Sequence, residues 1–517
     1  MERGIANDII KCTVAVFALA LIVVSPALWC GLIGDDIINA LTPEWVQTTY
    51  GSLYRLVSST AWSWTRIGRP YPVSIAVTYT VWFYTYTDPV FAKAISLVGY
   101  LVCLGATADF LRRFTQSNKE ALLFLLIATF CVQMRAWYDP ILGFPLLVPL
   151  TLTIVMVQAS LLLRYLNGGS QWHLLASLAV FAIGLLTYEL AFVAILIDGV
   201  IIFARNFPRS KAVWSTIWIL VLFSTYLATR HILRVTDLAA YDGATISLDV
   251  MKFGHAFAVN IFAAAPLSYL LTHPTLFLEA DWSFMNIVTL GPVAISIAAL
   301  FYLLWRQITK LEQTVLAQVK ATILIGVILI ACPAAMLAAS VRYQNVVTDF
   351  GNVYIQGLFE EIGLAIILSY IVASLLSYRF NQVELRWSAL GACFAITAAL
   401  TFISNIVVVG VLNHSVDKVG RSAFVAAMRN GVLNDIPNGS VLLFSPKQIW
   451  ADARIVRLFA GKLVIVRTEG LPYPKPDSES EDVFAVSISD LPSRPWFASG
   501  VQPRVTINRI RLGNVNL

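Results

Sequence analysis

The sequence predicts a polytopic α-helical membrane protein with about eleven transmembrane helices and a small C-terminal α/β domain. Hydrophobic residues make up 58% of the 517-residue chain and charged residues only 13%, whereas soluble domains carry about 25% charged residues. Long apolar runs recur up to residue 411, and beyond it short stretches alternate apolar and polar residues. Length of the apolar runs, scarcity of charge and the change of pattern in the tail together set this fold class.

A helix needs roughly 17–25 mostly apolar residues to cross the hydrocarbon core of a bilayer. Two stretches, 71–86 and 251–273, are apolar but ambiguous by this criterion. The predicted crossings lie near 9–30, 89–111, 119–134, 141–163, 172–187, 189–204, 212–233, 285–305, 319–340, 355–378 and 387–411. The first run has no clean small-residue cleavage site after it, so we expect a retained helix and not a removed signal peptide.

Basic connectors decide how the ambiguous stretches are placed, because Lys and Arg favour the cytoplasmic side. With the N-terminus inside, all basic connectors fall inside only if 71–86 does not cross. The first outer loop then spans 31–88 and carries interfacial helices, 251–273 stays on the outer face or re-enters, and the C-terminus is outside. The basic connectors lie at 110–113, Arg164, 205–211, 306–320 and 379–386.

The tail forms a separate predicted unit, so the chain divides into a transmembrane domain at 1–411 and a C-terminal domain at 412–517. An amphipathic helix, a Pro-Asn-Gly turn and a strand follow one another in "SAFVAAMRNGVLNDIPNGSVLLFSP". A second helix and strand occupy "RIVRLFAGKLVIVRTEG", and "DVFAVSI" and "RVTINRIRL" alternate as strands do. These elements predict a small α/β domain on the outer side of the membrane.

Charge and cysteine usage exclude several functional classes. The net charge of +6 fits loop charges that orient a membrane protein and does not indicate nucleic-acid binding. The six cysteines form no CxxC pair and lie in or beside apolar runs, which is typical of small buried hydrophobic residues. They are Cys12, Cys30, Cys103, Cys131, Cys332 and Cys393.

The outer face collects polar residues that the orientation rule does not explain. Two adjacent carboxylates, Asp35 and Asp36, follow the first apolar run directly. Basic residues placed outside suggest an anionic ligand at the membrane surface; the alternative for each alone is a snorkelling arginine. The further outer-face candidates are Arg69 in "GRPYP", Arg135, Tyr138 and Asp139 in "QMRAWYDP", Glu189 in "TYEL", Arg230 and His231 in "ATRHILRVTD", and Arg342 and Tyr343 in "SVRYQNVVTDFGN".

Carboxylates beside arginines at a lipid boundary suit glycosyl transfer from a lipid-phosphate sugar. A positioned Asp can take the proton of an attacking hydroxyl, an effect of about 10²–10⁴ in rate. An Arg can stabilise the charge that builds on the departing phosphate without a metal. The lipid chain would stay in the bilayer while the sugar sits at its surface.

In these features the chain resembles the GT-C fold glycosyltransferases. The residues that carry the resemblance are the acidic pair after the first helix, the "GRPYP" element, and "QMRAWYDPI" and "LLTYELAF". They are similar to patterns of bacterial members that modify O-antigen or other surface glycans, including the serotype-converting glucosyltransferases. The resemblance covers most of residues 1–411.

The resemblance implies a bacterial inner-membrane enzyme with its active site and C-terminal domain on the periplasmic face. Asp35 or Asp36 would be the general base or orient the acceptor, and Arg69 and Arg135 would contact the donor phosphate. Tyr138 and Asp139 would shape the pocket, with Glu189 as a further member. The donor would be a polyprenyl-phosphate (undecaprenyl-phosphate) sugar, and the acceptor an O-antigen, another glycan or a surface protein such as a pilin.

The chain departs from related families in two ways. It has no Trp-Trp-Asp motif in its tail, which argues against transfer of a whole oligosaccharide to asparagine. It has no DxD motif, so no soluble nucleotide sugar with a bound metal is indicated. Beyond the lipid donor no cofactor is firmly implied, and a divalent cation is not indicated but stays open. Nucleic acid is not an expected partner.

Two alternatives stay open at this point. A transporter or flippase of lipid-linked sugars would more often show related halves and charges near the midplane, and this sequence shows neither. A glycan polymerase or ligase would not be expected to carry the acidic pair after the first helix. Glu360 and Glu361 lie near the outer end of an apolar run. They would line the same cavity as the outer-face residues named above, or else sit in the first turn of their helix.

Overall fold

The computed structural model describes the chain over residues 2–33, 36–136, 139–144, 146–204, 207–235, 243, 245–247, 249–278, 284–311, 318–346, 348–377, 384–414, 416–444, 453–468, 482–489 and 504–510. Helices dominate these residues up to 414, and the four strands of the described part follow.

The first half of the helical body comprises α1 (Glu2–Val24), α2 (Asp36–Asn39), α3 (Thr42–Trp45), α4 (Leu53–Arg66), α5 (Pro72–Thr85), α6 (Pro89–Thr115), α7 (Asn118–Cys131), α8 (Leu147–Leu166), α9 (Gln171–Leu185), α10 (Val193–Ala204) and α11 (Arg209–Leu233). The second half comprises α12 (Val250–Ala263), α13 (Ser268–Thr272), α14 (Pro274–Leu278), α15 (Phe284–Thr309), α16 (Val319–Ala338), α17 (Val341–Val346), α18 (Gly357–Ser377) and α19 (Glu384–His414).

The chain is an integral membrane protein, and each of the eleven predicted crossings contains a helix. Eight helices in the described residues are long and apolar enough to span a bilayer: Asn7–Trp29, Pro89–Thr115, Leu147–Leu166, Arg209–Leu233, Ile287–Thr309, Val319–Ala338, Gly357–Leu376 and Trp387–Leu412. The other three predicted crossings are α7, α9 and α10, which have only 14, 15 and 12 residues. The run predicted at 141–163 starts later, at Leu147.

The short helix α7 shows why length alone does not decide its place. Nearly all of its side chains are buried, and it packs against α1, α6, α15, α18 and α19. Non-helical backbone at its end is tolerated inside protein, where neighbouring side chains satisfy the polar groups. The amide of Met134, just past α7, donates to Asn405 Oδ1 of α19 at 2.8 Å.

Local sequence fixes where α6 and α7 begin. Asp88 caps α6, its side chain accepting from the amide of Val90, and Pro89 occupies the first turn. Ser117 caps α7 in the same way through the amide of Glu120. Both arrangements satisfy amides that the helix itself leaves free.

Connectors predicted to share a side of the membrane do meet in the structure. At one end, here called the site face, the amide of Val73 donates to Leu186 O (3.2 Å) and that of Val235 to Arg66 O (2.9 Å). At the other end, the basic face, Lys119 donates to Thr309 O (3.0 Å) and Lys211 to Tyr165 O (2.9 Å). The side of the membrane to which each face belongs stays a prediction.

The tail is a small α/β unit, as predicted. Its described elements are α20 (Val416–Arg429), β1 (Val441–Phe444), α21 (Ala453–Ala460), β2 (Ile465–Thr468), β3 (Val483–Ser489) and β4 (Arg504–Ile510). These strands form one sheet in the order β2-β1-β3-β4, with β1 parallel to β2 and β3, and β4 antiparallel to β3. The predicted domain boundary at 411/412 falls in the last turn of α19 and stays a prediction.

The tail packs on the first connector of the site face. Leu41 lies in one hydrophobic cluster with Phe424 of α20 and Leu442 of β1. The Arg429 guanidinium donates to Thr87 O at 2.6 Å. The sheet unit is therefore held against the same connector that carries the acidic pair.

We expect Leu41→Ala to loosen this contact. The side chain is only 3% exposed, and removing a buried leucine costs about 2–5 kcal/mol. Limited proteolysis of the full chain should cleave the tail region faster in the variant. Ile38→Ala, on a side chain that is 53% exposed in the same connector, is the control and should leave the cleavage rate unchanged; equal rates in all three proteins would contradict the contact.

Candidate functional site

The site face contains a cavity of about 200 Å³ whose walls come from four connectors. Aromatic and apolar side chains make up much of the wall, and Arg69 is the charged residue among those lining it. The lining residues are Asn39, Trp64, Arg69, Tyr71, Ser74, Ile75, Thr78, Tyr79, Phe144, Leu147, Tyr188, Tyr354 and Ile355. An apolar pocket with few polar groups is the usual form of a small-molecule site.

Arg69 is held at the cavity by the turn that links α4 to α5. Gly68 adopts a φ of +88°, a conformation that favours glycine. This backbone conformation explains why a glycine precedes Arg69. The amide of Arg69 donates to Trp64 O at 2.9 Å. Its guanidinium carbon lies 5.2 Å from the centre of the Trp64 ring and 5.0 Å from that of Tyr71, within cation–π range.

Glu189 joins Arg69 to a second cation. Arg69 Nη2 lies 3.2 Å from Glu189 Oε2, and Arg230 Nη2 lies 3.5 Å from Oε1. Burial acts to lower the pKa of Arg69, but Tyr71 and Glu189 raise it above its ordinary value, so its charge is secure. Burial, followed by the charge of Glu189, raises the pKa of Tyr71, which therefore stays a neutral phenol. Three connectors that are distant in sequence thus meet in one charged group.

Asp36 is held in a buried ion pair. Its Oδ2 is 2.5 Å from Lys93 Nζ, and both side chains are fully buried. Lys93 also donates to the carbonyl of Leu142, which ties the first connector and α6 to the second connector. Asp36 does not itself line the cavity; it begins the four-residue helix α2, which ends at the cavity-lining residue Asn39. Sequence reasoning missed Lys93, although a lone lysine within the apolar run of α6 was a usable signal.

Arg135 is fully buried and does not line the cavity. Its guanidinium lies 2.8 Å from Glu361 Oε1 and donates to Ala263 O (2.6 Å) and Gly351 O (3.1 Å). Glu360 lies in the first turn of α18, where the alternative put the pair, Glu361 follows it, and neither lines the cavity. A contact of Arg135 with a donor phosphate stays a prediction and would require these bonds to rearrange.

Asp139 organises the connector between α7 and α8. Its Oδ1 accepts from the amides of Ile141 and Leu142, and its Oδ2 from that of Arg135, all at 2.8 Å. Burial raises the pKa of Asp139, while these amides and the Arg135 charge oppose the shift. The side chain is thus a loop-holding group next to the wall residue Phe144, whereas its contribution to ligand binding stays a prediction.

Replacing Asp139 separates these roles. We expect Asp139→Ala to lower the melting temperature of the purified chain, because three buried amides lose their acceptor, at about 1–3 kcal/mol for each unsatisfied group. Asp139→Asn keeps one carbonyl oxygen for Ile141 and Leu142 and should lose less. Differential scanning fluorimetry compares them; an alanine variant as stable as the asparagine variant would show that these hydrogen bonds do not hold the loop.

The remaining predicted residues lie around this centre. Tyr343 is buried, with its ring centre 4.5 Å from that of the cavity residue Tyr354. His231 is exposed at the end of α11, and Arg342 is half-buried on α17. Asp35 and Tyr138 lie outside the described residues, so their predicted roles are untouched by the structure. Within the residues that the structure describes, no group of three His, Cys, Asp or Glu side chains is placed to hold a metal.

Comparison with known proteins finds similarity among solved structures. No protein-family model matches the chain, and no curated protein matches it either. Among solved structures, the chain is similar to the crystal structure of ArnT from Cupriavidus metallidurans bound to undecaprenyl phosphate, with a TM-score of 0.44 and 11% identity over 96% of this chain and 97% of that one.

Proposed function

We propose that the chain is an inverting glycosyltransferase that moves one sugar from a polyprenyl-phosphate donor to a hydroxyl of a surface glycan or glycoprotein. The observation that carries the proposal is Arg69, which lines an aromatic cavity at the ends of the membrane-spanning helices. The proposed setting is the bacterial inner membrane, with the site face and the tail on the periplasmic side.

The cavity offers what such a donor requires. A guanidinium is planar and binds phosphate through two parallel hydrogen bonds. The tyrosine and tryptophan walls give flat, partly apolar surfaces beside it for a sugar. The apolar chain of the donor would remain among the helices, because the cavity opens where those helices end.

The acidic pair supplies the proposed proton acceptor. The acceptor oxygen attacks the anomeric carbon from the face opposite the phosphate, and the bond from that carbon to the phosphate oxygen breaks. Polyprenyl phosphate leaves with the electron pair, its charge stabilised by Arg69, while the hydroxyl proton passes to a carboxylate. A single displacement inverts the anomeric centre.

Within the pair, we propose Asp35 as the base and Asp36 as its positioning residue. Asp36 is fully buried and bound to Lys93. If Asp36 accepted the proton, it would lose its charge, and the buried lysine would be left without a charged partner. Asp35 is the adjacent carboxylate in the chain.

The test follows release of polyprenyl phosphate by the purified full chain. Wild type, Asp35→Asn and Asp36→Asn are incubated with a panel of polyprenyl-phosphate monosaccharides, with and without a cell-envelope acceptor. We expect Asp35→Asn to fold and bind donor but to turn over about 10²–10⁴-fold more slowly. We expect Asp36→Asn to lower the melting temperature. EDTA should leave turnover unchanged, because no metal takes part in the proposed step.

Two outcomes would contradict the proposal. Turnover of Asp35→Asn within tenfold of wild type would remove Asp35 as the base. No release with any donor, combined with movement of labelled lipid-linked sugar across vesicles that contain the chain, would replace transfer by transport.

A further inference from the structure

We propose that the basic face carries a binding site for an anionic phospholipid whose headgroup bears two phosphates. The site is distinct from the cavity at Arg69, since it lies at the opposite ends of the helices. It consists of a polar cavity for the headgroup and an adjoining apolar groove for an acyl chain.

The headgroup cavity measures about 460 Å³ and is rich in cations. Arg112 and Arg113 come from the last turn of α6 and Arg164 from the last turn of α8. The starts of α7 and α9 contribute Asn118 and His173. The three guanidinium groups complement the C-terminal ends of α6 and α8, and the amides at the starts of α7 and α9 favour anions.

The charge of this cavity matches two phosphates. Asp109 accepts from Arg112 Nη2 at 2.7 Å and from Arg113 Nε at 2.6 Å. One carboxylate therefore offsets one of the three guanidinium charges, and two positive charges remain. Arg164 is exposed and belongs to α8, so the positive charge comes from the ends of two different helices.

An apolar groove of about 210 Å³ adjoins the headgroup cavity and shares Arg112 and Asn118 with it. One stripe of each of three helices lines it: Ile9, Thr13 and Phe17 of α1, Gly105, Ala108 and Asp109 of α6, and Ala121, Leu122 and Leu125 of α7. Gly105 faces Phe17 in this groove, since a Cβ there would lie 3.5 Å from the phenylalanine ring, an ordinary van der Waals contact. From Arg112 to Gly105 the groove runs about 10 Å along α6.

A lipid accounts for both parts, whereas a soluble anion would fill only the first. The polar cavity lies at the ends of α6 and α8, two membrane-spanning helices, where headgroups are found. Trp172 at the start of α9 is 76% exposed there, and exposed tryptophan is typical of the headgroup level. The apolar groove then continues from that level toward the bilayer centre.

The experiment titrates the delipidated full chain in detergent with cardiolipin, phosphatidylglycerol, phosphatidylethanolamine and pyrophosphate, and counts bound molecules by native mass spectrometry. We expect one cardiolipin per chain, bound at least tenfold more tightly than each of the other three probes. Arg112→Gln with Arg164→Gln should weaken cardiolipin binding about tenfold or more, because each guanidinium near a bilayer contributes measurably to anionic-lipid affinity. Gly105→Phe should weaken it by filling the groove.

The control is Arg306→Gln, an exposed arginine near the end of α15 on the same face but outside the cavity. It should change cardiolipin affinity less than twofold. The proposal is overturned if Arg306→Gln weakens binding as much as the cavity variant, if phosphatidylglycerol binds as tightly as cardiolipin, or if pyrophosphate competes equally. Unchanged cardiolipin binding in Gly105→Phe would overturn the groove as the chain site.

Discussion

Replacing Lys93 by methionine is expected to destabilise the protein by about 3–5 kcal/mol, the usual cost of removing one member of a buried ion pair. The Lys93 amine and the Asp36 carboxylate are 2.5 Å apart, and neither side chain is exposed. The variant would leave a carboxylate in the protein interior without its cation. The carbonyl of Leu142 would lose its donor as well.

The measurement is the melting temperature of the purified chain in detergent, with Lys320→Met as control. Lys320 is exposed on α16, so its substitution removes a charge and no buried contact. The double variant Lys93→Met with Asp36→Leu should recover much of the loss, because an apolar pair of similar volume can replace a buried ion pair. A single variant as stable as wild type would mean that Asp36 is not anchored by Lys93, and the assignment of Asp35 over Asp36 would lose its basis.

Hydrophobic periodicity and charge predicted which segments are helices and which connectors share a face. The pairing of Arg69 with Glu189 joins residues 120 positions apart, and both belong to connectors that the charge argument placed on one side. Spacing of basic residues carries this information because each crossing reverses the side of the chain. The strands of the tail were likewise readable from alternation.

The side-chain contacts between helices inside the membrane domain were not predictable in this way. Lys93 bonds to Asp36 and Arg135 to Glu361 only because distant helices pack closely, and no local pattern encodes that packing. For the same reason the sequence did not indicate the carbonyl and carboxylate partners that the structure gives the Arg135 guanidinium. The predicted crossing at 119–134 extends past the end of α7 at Cys131. The residues that follow this buried helix are also largely apolar, so the apolar run is longer than the helix.

Replacing Arg69 by alanine is expected to lower kcat/KM for the lipid donor about a hundredfold, on the proposed function. Hydrogen bonds to charged groups contribute about 1.5–3 kcal/mol each, and a loss of about 3 kcal/mol corresponds to roughly a hundredfold. Arg69→Lys keeps the charge but loses the planar contact with Trp64 and Tyr71, so we expect an intermediate rate. Initial rates of polyprenyl phosphate release against donor concentration give the comparison.

Glu189→Gln separates the phosphate contact from the ion pair. Glu189 holds Arg69 and Arg230 but does not line the cavity. If Arg69 acts only by holding this cluster, Glu189→Gln should reduce kcat/KM as strongly as Arg69→Ala. If Arg69 binds the phosphate, the glutamine variant frees the guanidinium from its carboxylate, so donor affinity should change less than tenfold while Arg69→Ala loses most of it. Comparing the loss in Arg69→Ala with that in Glu189→Gln therefore decides whether Arg69 binds the donor phosphate or only holds the ion-pair cluster.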